Sequence, residues 1–272
     1  MLHDSDSSPV NAAFWRNELA YFFGAVRFFT RLPVPAWVGH SAEALNQSAR
    51  YFPAVGVLVG GIAALVFVLA QALWPANVAI LLSMAASIYV TGAFHEDGLS
   101  DTVDGLGGGW DKLRILEIMK DSRVGSFGVV ALVLALLGKF TLLSALASSV
   151  LPWALVAGHA LSRACSTLLL ATLDYVREDL LAKSKPLATR LGPGALLVAW
   201  GFAALAVAAL GLLTPLSLDK VLMGLVLAAL ATVWLARLFL RWLGGYTGDC
   251  LGATQQVSEL AFYLGLLAQW PA

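Results

Sequence analysis

The stretch from His95 to Gly109, termed the acidic motif, carries four carboxylates within nine residues, at Glu96, Asp97, Asp101 and Asp104. In a helix, which turns about 100° per residue, the three aspartates fall within roughly 60° of one another. Like charges on one helix face repel, so a cation is expected among them. Oxygen ligands at positions i, i+4 and i+7, beside glycines that allow close backbone approach, favour Mg²⁺. The alternative is a solvated loop whose acids need no ligand.

A second candidate stretch, termed the basic loop, places Lys120 and Arg123 beside Asp121, just before a long apolar run. Two cations next to a helix N-terminus are suited to binding phosphate. The same residues could simply lay their aliphatic stems along apolar surface and keep their charges in water. Proximity to a multi-carboxylate metal site favours the phosphate interpretation.

A third stretch runs from Arg241 to Ala253 and is again rich in glycine, with Asp249 at its centre. An aspartate alone in a loop is usually a turn residue. Since two glycine-rich acidic loops both lie between apolar runs, Asp249 is also a candidate member of the same site. The sequence leaves both interpretations open.

Four ionisable residues fall inside apolar runs, where an isolated charge is costly. His159 and Arg163 are spaced i, i+4 and so share one helix face, while Lys139 and Glu259 lie on other runs. Such residues either pair with one another or line a polar substrate chamber. Both alternatives stay open at this point.

The elements that position these residues are predicted to span a membrane. The chain has 272 residues, of which 59% are hydrophobic and only 12% charged, against about 25% charged residues in an ordinary soluble domain. The net charge of zero argues against binding to nucleic acid. Cys165 and Cys250 are far apart in sequence and are interpreted as ordinary reduced thiols.

Apolar runs of about 20 residues, the length that crosses a bilayer, predict about seven transmembrane helices. A shorter aromatic and charged segment at 14–29 predicts a helix at the membrane surface, and the prolines of segment 30–35 predict extended chain. The fold class is therefore an all-α polytopic membrane protein with one integral-membrane domain, residues 1–272. The seven runs are 53–74, 76–94, 125–147, 152–173, 191–213, 221–242 and 253–270.

The loops alternate in charge. Of 17 lysines and arginines, 13 lie in loops and span ends predicted to face one side, whereas the opposite turns hold only Lys220. The positive-inside rule places the basic side in the cytoplasm, together with the acidic motif and Asp249. The thirteen are Arg27, Arg31, Arg50, Lys112, Arg114, Lys120, Arg123, Arg177, Lys183, Lys185, Arg190, Arg237 and Arg241.

Two enzyme families resemble parts of the acidic motif. The spacing Asp101-x-x-Asp104-Gly105 is similar to the CDP-alcohol phosphotransferase motif, but the Ala-Arg that should follow is absent. Asp97-x-x-x-Asp101 is similar to membrane prenyltransferases, but the asparagine that opens their first motif is missing. A transporter is a third alternative, although coupling acids are expected near the middle of the membrane.

A third family resembles nearly the whole chain. Thr30-Arg31-Leu32-Pro33-Val34-Pro35, Tyr51-Phe52-Pro53, the segment Phe94–Gly105, Ile118–Arg123 and Gly244–Ala253 are all similar to the cobalamin synthases, the membrane adenosylcobinamide-GDP ribazoletransferases. The resemblance implies a Mg²⁺-dependent enzyme in a bacterial or archaeal cytoplasmic (inner) membrane. The reaction that the resemblance implies is a transfer in which a hydroxyl of α-ribazole, or of its 5′-phosphate, attacks the cobinamide-linked phosphorus of adenosylcobinamide-GDP. GMP leaves, and adenosylcobalamin or its phosphate forms.

The resemblance also implies roles for residues of this chain. The expected metal ligands are Glu96, Asp97, Asp101 and Asp104, and the base is expected among the three aspartates. A homo-oligomer is left open. The expected substrate-binding residues are His95, Lys120, Asp121, Arg123, Arg163, Arg241 and Asp249.

Overall fold

The computed structural model describes residues 9–39, 41–176 and 191–269. These residues form eleven α-helices and one short 3₁₀ turn, Ala49–Tyr51. The predicted all-α class is confirmed. The helices are α1 (Pro9–Phe29), α2 (Ala42–Ser48), α3 (Phe52–Gln71), α4 (Ala76–Thr91), α5 (Phe94–Gly108), α6 (Lys112–Ile118), α7 (Ser126–Ser144), α8 (Leu151–Thr172), α9 (Pro193–Leu213), α10 (Leu218–Leu243) and α11 (Gly248–Leu266).

Each of the seven predicted spans coincides with a helix, but the helices are not equivalent. Five stretches are long and apolar enough to cross a membrane by themselves: α3 with the residues before it, α7, α8, α9 and α10. A sixth is the bent pair formed by α4 and α5. The seventh predicted span, α11, is more polar than these five and is largely buried among its neighbours. The polytopic architecture is confirmed, with the number of spans near the predicted seven.

Helix α11 is the element around which the bundle packs. It contacts α5, α7, α8 and α10, and its middle turns bury Thr254, Gln255, Gln256, Ser258 and Glu259. Buried polar groups are stable when they are hydrogen-bonded, so this helix requires protein neighbours rather than lipid. That requirement explains its central position.

The chain bends by 84° between α4 and α5. Gly92 and Ala93 both adopt left-handed backbone conformations, with φ values of 66° and 59°. Glycine adopts that conformation without a steric penalty, whereas an alanine there stores strain that the surrounding structure must hold. After the bend, the chain no longer runs in the direction of α4. Helix α5, with the acidic motif, lies across the end of the bundle.

Helix α5 reaches α11 through a close backbone contact. A side chain added at Gly98 would come within 3.0 Å of the carbonyl oxygen of Asp249 and 3.3 Å of the Cα of Gly252. Only residues without a β-carbon permit two helices to approach this closely. The acidic motif is therefore held directly against the third candidate stretch.

The inter-span turns form two groups at opposite ends of the bundle. At one end, the Gln71 amide donates a hydrogen bond of 2.8 Å to Ser148, which joins the end of α3 to the α7–α8 turn. At the other end, the backbone of Tyr246 pairs with Asp174 and Val176, which places the α10–α11 turn beside the chain that leaves α8. This separation is the alternation that the loop charges predict.

The predicted N-terminal helix is present as α1. It is joined to the bundle by Glu18, whose carboxylate lies 3.2 Å from the Arg50 guanidinium and accepts a hydrogen bond of 2.5 Å from the Tyr51 hydroxyl. Segment 30–35 has no helical turns, as its prolines predict. The location of α1 at a membrane surface stays a prediction. Arg177, Lys183, Lys185 and Arg190 lie outside the described residues.

Candidate active site

Helix α5 covers the acidic motif without interruption, so the three aspartates share one helix face as predicted. Their environments differ strongly. Asp97 is exposed and Asp101 is partly buried, whereas Asp104 is only 8% exposed. The helix thus presents two accessible carboxylates and encloses the third.

Asp104 is bound to the first turn of α7. Its two carboxylate oxygens accept hydrogen bonds from the backbone N–H groups of Gly125, at 2.7 Å, and Gly128, at 2.8 Å. A carboxylate suits this position because the first N–H groups of a helix lack partners and carry partial positive charge. A β-carbon at either glycine would overlap the Asp104 carboxylate. Asp104 therefore occupies two N–H groups at this helix N-terminus, and phosphate binding by the basic loop stays a prediction.

The basic loop lies in an open cleft of about 990 Å³ between α5, α6 and the start of α7. Lys120 is exposed, and the Arg123 guanidinium lies 2.6 Å from the Asp121 carboxylate. Hydrogen bonds from Arg123 lower the pKa of Asp121 to about 2, and the same contact raises the pKa of Arg123. Arg114, whose partner is Glu117, lines the same cleft. The structure therefore brings the acidic motif and the basic loop together.

Glu96 faces α11 rather than the aspartates. Gln256 donates a hydrogen bond of 3.0 Å to Oε1 of Glu96, while the buried Oε2 has no protein partner. A buried carboxylate oxygen without a donor is costly, and the buried Arg163 guanidinium is a positive charge that interacts with Glu96. The contact with Gln256 could not be predicted from sequence patterns, because it depends on how α5 and α11 cross.

The carboxylates of the acidic motif are candidate ligands for a metal ion. Across residues 9–39, 41–176 and 191–269, no three His, Cys, Asp or Glu side chains are already gathered around one point. Mg²⁺ usually takes one or two protein carboxylates and fills its remaining positions with water and substrate phosphate. The exposed Asp97 and the partly buried Asp101 are carboxylates of that kind on one face of α5, whereas Glu96 faces α11.

Asp249 begins α11 directly beside α5. Thr247 caps this helix, because its hydroxyl accepts from the Cys250 N–H at 3.3 Å and lies 3.4 Å from an Asp249 carboxylate oxygen. Burial raises the pKa of the Tyr246 phenol just before it. Arg241 is exposed in the last turn of α10, with its guanidinium 5.7 Å from the centroid of the Trp242 ring. Among the contacts described, Asp249 is joined to α5 and Arg241 is not.

A buried ion pair accounts for two of the four charges inside apolar runs. Lys139 Nζ lies 2.7 Å from Glu259 Oε1. The Tyr263 hydroxyl and the Gln255 amide also donate to this carboxylate, at 2.8 and 2.6 Å. Of the two alternatives from the sequence, the structure shows internal pairing for Lys139 and Glu259.

Arg163 and His95 lie deeper than the acidic face. Arg163 is 2% exposed and donates to the backbone carbonyl of His159 at 2.9 Å, but its Nε has no protein partner. The His95 ring stacks on Phe29 with 5.3 Å between centroids, and its Nε2 also lacks a partner. Both side chains border a small cavity of about 20 Å³. They are beside the candidate site without forming part of its accessible surface.

Known proteins resemble the chain over nearly its whole length. The profile of the family described as cobalamin-5-phosphate synthase matches residues 21–267. The chain is 51% identical over 269 residues to an adenosylcobinamide-GDP ribazoletransferase of Polaromonas sp. (strain JS666), covering 89% of this chain and 94% of the relative. It is 48% identical over 255 residues to that of Shewanella woodyi, covering 93% and 97%, and 49% identical over 259 residues to that of Leptothrix cholodnii, covering 93% and 96%. No solved structure matches the chain. The chain therefore belongs to the cobalamin-5-phosphate synthase family.

Proposed function

We propose that the chain performs its transferase reaction on the exposed face of α5, beside the basic loop and Asp249. The enzyme is an adenosylcobinamide-GDP ribazoletransferase, the name that its relatives carry over nearly their whole length. It joins adenosylcobinamide-GDP to α-ribazole or its 5′-phosphate and releases GMP. The observation that carries the location is that α5 contacts both the basic loop and the start of α11 at one end of the bundle.

The reaction replaces one phosphorus–oxygen bond by another. A ribazole hydroxyl attacks the cobinamide-linked phosphorus, the bond to the GMP oxygen breaks, and the hydroxyl proton passes to a carboxylate. Asp97 is exposed and Asp101 is partly buried, whereas Asp104 is only 8% exposed and is held by Gly125 and Gly128. We assign the base to Asp97 or Asp101 on that ground.

We assign the Mg²⁺ ligands to Asp97 and Asp101, which share one face of α5, because Glu96 faces α11 and both oxygens of Asp104 accept backbone hydrogen bonds. A bound Mg²⁺ would neutralise the diphosphate and stabilise the oxygen that leaves with GMP. Lys120 and Arg123 would orient the same diphosphate. Because Arg123 donates to Asp121 in this structure, substrate phosphate would compete with Asp121 for the same N–H groups.

The reaction is proposed to occur on the cytoplasmic side of the bacterial or archaeal cytoplasmic membrane. The support is the distribution of lysine and arginine, since the loops around the candidate site are basic and the opposite turns hold only Lys220. Adenosylcobinamide-GDP is highly charged, so access from the aqueous phase requires no crossing of the apolar interior.

The test uses detergent-purified protein with adenosylcobinamide-GDP, Mg²⁺ and either α-ribazole or its 5′-phosphate, and it follows GMP release. Asp101→Asn keeps the shape of the side chain but removes its charge, and we expect a loss of activity of at least about 100-fold. Asp219→Asn, at the opposite end of the bundle, is the matched control and should retain activity. Circular dichroism and gel filtration check that each variant is folded. Absence of GMP from folded wild-type protein would refute the reaction, and near-normal activity of Asp101→Asn would refute the assignment of Asp101 as base or metal ligand.

A further inference from the structure

The basic loop is attached to α5 at both of its ends. On one side, the end of α6 lies against Gly105, where an added β-carbon would come within 2.6 Å of the Met119 side chain. On the other side, Gly125 donates to the Asp104 carboxylate at 2.7 Å. Residues 104 and 105 are consecutive, so residues 120–124 form a short arch above a single point of α5.

We infer that Asp104 is a positioning residue, which holds the basic loop against α5 so that its cations and the acids of α5 face the same substrate. This inference rests on the proposed function for its catalytic meaning. It assigns Asp104 a role different from that of Asp97 and Asp101, although all three share a helix face.

The hydrogen bonds at Asp104 support this assignment. The carboxylate is buried, and each oxygen accepts from a separate backbone N–H of the α7 start. An asparagine can accept through only one of its two terminal atoms. The substitution Asp104→Asn would therefore leave a buried N–H facing an NH₂ group and would weaken the attachment at Gly125 or Gly128.

The close packing at Gly128 provides an independent way to disturb the same contact. A β-carbon there would overlap both the Asp104 carboxylate and the Ser100 hydroxyl. Gly128→Ala therefore displaces the attachment without changing any side chain that could bind metal. Gly138→Ala is the matched control, since it lies on the same helix and its β-carbon would meet its nearest neighbour at 3.9 Å.

The first measurement needs no substrate or metal. Trypsin cleaves after Lys120 and Arg123, and local opening of the loop governs its rate. In detergent without Mg²⁺, we expect Asp104→Asn and Gly128→Ala to be cleaved there about tenfold faster than wild type, with faster hydrogen exchange at Gly125 and Gly128. Asp97→Asn and Gly138→Ala should resemble wild type.

The second measurement separates positioning from metal binding. For GMP release, Asp104→Asn and Gly128→Ala should both raise KM for adenosylcobinamide-GDP about tenfold and leave the Mg²⁺ concentration for half-activation unchanged. Unchanged cleavage of Asp104→Asn, together with a raised Mg²⁺ requirement, would overturn the inference. If Asp104→Asn does not fold, Gly128→Ala decides by the same criteria. Wild-type protein that releases no GMP would refute the proposed function, while the cleavage rates would still decide whether Asp104 anchors the loop.

Discussion

The Lys139–Glu259 pair is the most enclosed charge pair among the described residues, with side chains 7% and 1% exposed. Both Glu259 oxygens have donors, from Lys139 and Tyr263 on one side and Gln255 on the other. Such a pair contributes little net stability compared with apolar residues, yet removing one partner leaves an uncompensated buried charge. The loss of either charge alone is therefore expected to destabilise the bundle more than the loss of both.

We expect Lys139→Met to destabilise the protein by about 3–5 kcal/mol, since Glu259 would lose its nearest cation, while His159 Nε2 lies farther away at 3.8 Å. The double variant Lys139→Met, Glu259→Gln should recover most of that loss. Reversible unfolding in mixed detergent–SDS micelles measures both. Arg114→Met is the control: its partner Glu117 is also 2.7 Å away, but the side chains are 56% and 70% exposed, so the effect should stay below about 1 kcal/mol. If Lys139→Met and Arg114→Met lowered the free energy of unfolding equally, burial would not explain the effect.

The Asp121–Arg123 contact gives a prediction for pH. The pKa of Asp121 is lowered to about 2 by hydrogen bonds from Arg123, so the ion pair is complete above the ordinary carboxyl pKa of about 4 and is lost as pH falls through about 2. Arg123→Gln should return the Asp121 pKa toward about 4. Carboxyl ¹³C chemical shifts of Asp-labelled protein in micelles measure this change. A titration of Asp121 that stays near pH 2 in Arg123→Gln would show another cause.

Residue types and spacing predicted part of this site. The shared face of Asp97, Asp101 and Asp104 follows from helix periodicity alone and was confirmed when α5 proved continuous. Periodicity could not show that Asp104 caps α7 or that Gln256 reaches Glu96, because both contacts join residues that are distant in sequence. The glycines at 125 and 128 were the only local signs of the first contact.

At the level of elements, glycine contacts determine how α5 reaches the bundle. The α4–α5 bend was not predicted, because the apolar run continues to Phe94. Nothing in that run indicates the left-handed backbone conformations of Gly92 and Ala93. Likewise, the length of α11 predicted another span, whereas its buried polar residues explain why protein surrounds it. The length of an apolar run predicts a helix. What packs around that helix depends on which of its polar side chains need hydrogen-bond partners.

We expect Gly252→Ala to separate α5 from α11. The added carbon would lie within 3.2 Å of the Gly98 Cα and the His95 carbonyl, and backbone atoms cannot move aside as a side chain can. GMP release should fall about tenfold or more, with a lower melting temperature in detergent. Gly201→Ala is the control, since nothing lies within 4 Å of its added carbon. Gly252→Ala with wild-type activity and stability would show that the crossing tolerates a wider spacing.

For the whole molecule, the two ends of the bundle differ in charge and in chemistry. The end with α5, the basic loop and Asp249 carries the candidate site, while the α9–α10 turn lies at the opposite end beside Lys220. By the positive-inside rule, short loops with more lysine and arginine face the cytoplasm. The fold therefore predicts that the two ends face different compartments and that the site faces the cytoplasm.

Single-cysteine labelling tests this orientation directly. Cys165 and Cys250 are both buried, so they should react slowly with a membrane-impermeant maleimide and give a low background. Ser122 and Ser217 are exposed at opposite ends of the bundle. In intact spheroplasts, Ser217→Cys should be labelled and Ser122→Cys protected; in inverted membrane vesicles the pattern should reverse. Labelling of Ser122→Cys from outside the cell would place the site on the wrong side for a cytoplasmic nucleotide substrate. That result would overturn the orientation and leave the contacts within the site unchanged.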